Sequence, residues 1–107
     1  MKTEQKNTGS EKALQKIRQF CSYQERTHQE VKDKLYGYGL YKKDVELLLT
    51  QMIEENYLNE ERYAIAFAGG KFRIKKWGRV KITYELKQKR VSEYCIREAL
   101  STIEEED

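Results

Sequence analysis

Residues 71–90 hold nine Lys or Arg side chains and one acid, Glu85, for a local net charge of +8. The whole chain has 21 basic and 18 acidic residues, so the remainder holds 12 and 17 and sums to −5. Charge segregated in this way can attract a polyanion, because phosphate attraction asks only for several cations on one surface. Arg73, Lys75, Lys76, Arg79, Lys81 and Lys87 are the candidates for that contact. Lys89 and Arg90 add charge at the far end, and Gly78, at a helix start, offers backbone N–H groups to an anion. Cations near helix C-termini favour the dipole, which gives part of the cluster a structural role. Lys75, Lys76 and Arg79 flank a helix start, where the same field is mildly unfavourable, and so point toward an anionic partner.

Other chemistry is sparse. Trp77 has the properties to stack on a base, or it packs against Ile82 as a hydrophobic staple. Tyr36, Tyr38 and Tyr41 crowd the turn at Gly37 and Gly39, where they either seal a contact between helical units or form a protein-contact rim. The single histidine, His28, has no Cys or carboxylate at ligand spacing, so no metal site is expected. There is no glycine-rich phosphate loop, nucleophile elbow or inward carboxylate pair. Hence no catalytic residue, cofactor or small-molecule substrate is expected, and the chain reads as a binding protein.

Cys21 and Cys95 are isolated and lack a CxxC spacing, which fits small buried hydrophobes in a cytoplasmic protein. No run of 18 or more apolar residues exists, so no membrane contact is expected. The opening "MKTEQKNTGS" lacks the apolar centre of a secretory signal, and residues 1–9 read as a flexible tail.

The elements that must hold these side chains are helical. Proline is absent, and apolar residues recur at helical spacing throughout. Ala13, Leu14, Ile17 and Cys21 form one stripe, behind Ser10 as a cap. Thr27 with Glu30 forms a capping box for a second helix, which carries Val31 and Leu35 and stops at Gly37 and Gly39. Val45, Leu48, Leu49 and Met52 mark a third. Asn59 caps a fourth, with Glu60 and Glu61 favouring its dipole. Its opening "YAIAFA" (residues 63–68) is apolar nearly all round and expects burial on several sides. A fifth helix starts near Gly78 with Ile82 and Leu86. Ser92 caps a sixth, with Ile96, Ala99, Leu100 and Ile103.

Sliding the chain over itself by 51 residues aligns these stripes without a gap. Ala13 meets Ala64, Val31 meets Ile82, Leu35 meets Leu86, Val45 meets Ile96 and Met52 meets Ile103. A three-helix unit this small buries little surface alone, so tandem units are expected to lean on each other. The predicted fold is all-α: two tandem three-helix repeats, residues 10–56 and 57–107, packed into an elongated, curved array.

The residues at the joints resemble the RecX family, bacterial regulators of the RecA recombinase. "RTHQEVKDKL" (residues 26–35) is similar to the family's pattern of Arg, Ser or Thr, two free positions, Glu, an aliphatic and a later Lys-Leu. "YLNEERYA" (residues 57–64) and "KWGRVKITYEL" (residues 76–86) resemble two further motifs, in the right order. The likeness covers residues 11–103. It implies repeats that lie in the groove of a RecA filament on single-stranded DNA and inhibit it, affecting recombination and DNA repair. It also implies that this chain holds two of the three repeats family members usually carry. The implied partners are RecA and the phosphates of single-stranded DNA.

Two other functions compete. Capped three-helix units also build helix-turn-helix DNA readers, but these place base-reaching Arg, Asn or Gln on one exposed helix. "DVELLL" in the third helix lacks them, and the sixth offers only Arg97. A helical-repeat scaffold that binds proteins alone is the other.

Overall fold

The computed structural model describes the backbone of residues 2–106 and the side chains of residues 9–103. With no proline to interrupt them, the stripes become six helices: α1 (Lys2–Tyr23), α2 (His28–Gly37), α3 (Lys42–Glu54), α4 (Glu60–Arg73), α5 (Arg79–Gln88) and α6 (Glu93–Glu106). The fold is all-α among the described residues.

The caps of α2, α4, α5 and α6 sit where the sequence expects them. Thr27 Oγ1 accepts from the Glu30 N–H at 3.0 Å, and the Thr27 N–H donates to Glu30 Oε1 at 2.8 Å. Asn59 Oδ1 accepts from the Arg62 N–H at 2.9 Å, and Ser92 Oγ from the Cys95 N–H at 3.3 Å. Each satisfies a donor the first helical turn leaves open. Gly78 caps α5 without a side chain.

The chain divides into two units, Met1–Leu58 and Asn59–Asp107. The division falls two residues beyond the expected boundary because Leu58 is buried in the first unit's core, with Tyr57 packed against it. That core joins Ile17 of α1, Val31 and Leu35 of α2, and Val45 and Met52 of α3. Arg18 of α1 reaches the end of α3, where its Nε and one terminal nitrogen donate to the two Glu55 carboxylate oxygens at 3.1 and 3.0 Å. The hydrogen bond from Arg18 holds the Glu55 carboxyl below its ordinary range, and the same bond raises the Arg18 guanidinium.

In the second unit α4 packs most extensively on α6. Ala64 and Ala68 lie one turn apart on α4 and are fully buried, as is Ala99 on α6, so small side chains allow close approach. Ile82 and Leu86 of α5 and Ile103 of α6 complete this core. Within "YAIAFA" Tyr63, Ala64 and Ala68 are buried, Ile65 and Phe67 half-buried, and Ala66 exposed.

Burial repeats with the 51-residue shift. Ala13, Ile17, Val31, Leu35, Val45 and Met52 are buried, and so are Ala64, Ala68, Ile82, Leu86, Ile96 and Ile103. The starts of α2 and α5, and of α3 and α6, differ by the same shift.

Two expectations are corrected. Residues 2–9 are the first turns of α1, where the sequence suggested a tail, and Ser10 lies inside that helix instead of capping it. Lys, Glu and Gln are good helix formers, and the lone Gly9 costs only about 1 kcal/mol against alanine, too little to break a helix.

Candidate functional site

The end of α4 and the start of α5 build the basic surface. Phe67 and Lys71 are one turn apart on α4, and Trp77 follows in the connection. Phe67 stacks on Tyr63 with centroids 5.9 Å apart and meets Trp77 edge-on at 6.2 Å. Three ammonium groups surround this pair of rings. Lys71 Nζ lies 5.4 Å from the Phe67 ring and 5.0 Å from the Trp77 ring. Lys81 Nζ lies 4.6 Å from Trp77, and Lys89 Nζ lies 5.7 Å from Phe67. The negative ring faces hold the cations in place. Glu85, the one acid in the stretch, approaches Lys81 at 4.0 Å. Among the described residues Lys71 and Lys89 have no carboxylate partner.

The first unit carries the same latch with its chemistry reversed. There the Arg26 guanidinium lies 3.7 Å from the Phe20 ring, and Lys16 Nζ lies 5.6 Å from the Tyr38 ring. Shifted by 51, Phe20 becomes Lys71 and Arg26 becomes Trp77; Lys16 becomes Phe67 and Tyr38 becomes Lys89. Cation and aromatic exchange places in both pairs. The exchange moves positive charge to the ends of α4 and α5, beside the other basic residues.

All six predicted cations are exposed. Arg73 ends α4, Lys75 and Lys76 lie in the connection, Arg79 and Lys81 open α5, and Lys87 is in its last turn. Lys76 and Arg90 take the left-handed backbone region, with φ of 63° and 64°. In the first unit the position equivalent to Arg90 is Gly39, at φ 90°. Sequence spacing does not single out Lys71 and Lys89; the ring contacts that group them with Lys81 exist only in three dimensions. Trp77 is half-buried against the second unit's core, as the packing alternative held.

The tyrosine rim is corrected in part. Tyr36 and Tyr41 are exposed, but Tyr38 packs against the first unit's own core under Lys16. Burial and the nearby Cys21 push its phenol up, and burial likewise raises the Cys21 thiol. Among the described residues no group of three His, Cys, Asp or Glu is placed to hold a metal, and no helix is long and apolar enough to cross a membrane.

Residues 59–100, nearly all of the second unit, match the family described as RecX, second three-helix domain. A regulatory protein RecX of Clostridium perfringens (strain SM101 / Type A) is 37% identical over 82 residues, 77% of this chain. The chain belongs to the RecX family. A second RecX relative, from Lactobacillus gasseri, is 33% identical over 95 residues, 89% of this chain. A third, from Prosthecochloris aestuarii, is 30% identical over 94 residues. The chain spans 38% and 35% of the length of the first two RecX proteins and 62% of the third. The crystal structure of RecX from Lactobacillus salivarius shares the fold at a TM-score of 0.83 and 22% identity, covering 90% of this chain and 62% of that one.

Proposed function

We propose that this RecX-family chain binds a RecA filament on single-stranded DNA and inhibits it, using the basic surface at α4 and α5 of its second unit. The observation that carries the reading is the grouping of Lys71, Lys81 and Lys89 around Phe67 and Trp77, beside the exposed Arg73, Lys75, Lys76, Arg79 and Lys87. Cations gathered on one surface, in a stretch with a single acid, attract a polyanion. The names of the RecX relatives support a regulatory role, and the resemblance of the joints supports RecA as the partner.

The test replaces Lys75, Lys76 and Arg79 with Glu together and follows filament-dependent ATP hydrolysis by RecA. Wild type slows hydrolysis, and the folded triple variant does not. Equal inhibition by the two proteins would show that the basic surface takes no part in it.

A further inference from the structure

The contacts described so far account for Trp77 and Phe67, but not for the opposite side of α5. Ile82 and Leu86 turn inward and are fully buried. On the far side Val80 is 86% and Tyr84 59% exposed. These two lie one turn apart on the same face. Lys81 and Lys87 stand three residues before and after Tyr84, so the ring is bracketed by cations along the helix.

Helix formation does not ask for a tyrosine there. At the equivalent positions of α2 the first unit has Gln29 for Val80 and Asp33 for Tyr84. Gln29 Nε2 donates to Asp33 Oδ1 at 3.0 Å, so that face satisfies itself in water. At these two positions the second unit, unlike the first, sets an apolar ring and a branched aliphatic outward, and it does so where the chain concentrates its positive charge. An apolar protein surface would fit the ring and the valine but has no use for the cations. A lone phosphate would use the cations but not the ring. A strand with both charged phosphates and free base faces uses all four side chains, because every base has a π-face to lay on an aromatic ring.

We propose that the outward face of α5 is a stacking platform for an unpaired base of a single-stranded nucleic acid. Tyr84 takes the base, Val80 extends the apolar surface, and Lys81 and Lys87 take the flanking phosphates. Bases in a duplex are stacked on one another and cannot lie on Tyr84, so this face prefers single strands without reading their sequence. The inference rests on the basic surface being a nucleic-acid contact and adds what that surface selects.

Fluorescence anisotropy of the 107-residue chain with a labelled oligothymidylate, and with a labelled duplex of the same length, tests it. Tyr84→Ala is expected to weaken single-strand binding about tenfold, within the range of one base–aromatic stack, and to leave duplex binding unchanged. Tyr84→Phe retains wild-type affinity, because stacking does not need the hydroxyl. Tyr84→Leu, which keeps bulk and apolarity in a helix, loses as much as Tyr84→Ala. Wild-type affinity in Tyr84→Ala or Tyr84→Leu, or equal losses on single strand and duplex, would overturn the platform. Tyr84→Ala binding single strands like wild type, while charge reversal abolishes inhibition of RecA, sinks the platform and leaves the filament reading intact. Tyr84-dependent single-strand binding by a chain without effect on RecA does the reverse.

Discussion

Lys71 Nζ stands 5.0 Å from the Trp77 ring, at the two positions that Phe20 and Arg26 fill in the first unit. In that unit the ring lies on the helix and the cation in the connection. In the second the cation lies on the helix and the ring in the connection. Either arrangement latches the two helices, since the attraction is the same in both directions. What differs is where the charge ends up. The second arrangement adds Lys71 to a surface that already carries Arg73, Lys75 and Lys76.

Lys71→Met separates the latch from the charge. Methionine keeps a straight apolar stem to pack on Phe67 and Trp77. Removing the ammonium from two rings is expected to cost about 1 kcal/mol in a denaturant melt, as for a half-exposed cation–π contact. Single-strand affinity falls as well, and its salt dependence shrinks by about 0.7 in logarithmic slope, the loss of one phosphate contact. Unchanged binding by the folded variant would show that Lys71 serves the latch alone.

Lys76 holds a left-handed backbone at φ 63°, a region that disfavours a side chain bearing Cβ. Lys76→Gly is expected to raise stability by about 1 kcal/mol while weakening binding to single-stranded DNA. Asn56→Gly, at φ 65°, should gain less, because asparagine tolerates this region. Thermal melts of the two variants check the order. A stabilised Lys76→Gly with wild-type binding would exclude Lys76 from the contact.

The Arg18–Glu55 pair makes the first unit sensitive to acid. The Arg18 hydrogen bond depresses the folded-state Glu55 carboxyl, so the unfolded chain takes up a proton first as pH falls. The contribution is therefore fully present above the ordinary carboxylate range and is lost as pH drops through the lower, folded value. Glu55→Gln should lose less stability than wild type between neutral and acid melts. An identical acid dependence in both proteins would contradict the pair's role.

Much of this was legible in the residues. Thr27, Asn59 and Ser92 announce helix starts because a short polar side chain before an apolar stripe has few other uses, and each does cap its helix. The 51-residue shift found the repeated cores because Val31 and Ile82, or Leu35 and Leu86, keep their character. The latch escaped because the shift compared like with like: Lys71 against Phe20 looks like a mismatch until the partners Trp77 and Arg26 are seen to mismatch in the opposite sense. Closeness in sequence groups Tyr38 with Tyr36 and Tyr41, but the turn after α2 brings its ring back onto the core. Residues 2–9 read as a tail because they lack an apolar stripe, which a helix does not require.

On the proposed reading the second unit presents its positive surface to a phosphate-rich strand. A salt titration of single-strand binding, with and without RecA, tests it most directly. Logarithmic affinity is expected to fall linearly with logarithmic salt. Replacing Lys75, Lys76 and Arg79 with Gln should flatten the slope by about 2, three contacts at 0.7 each. Binding indifferent to salt, or a slope the triple variant leaves unchanged, would contradict it.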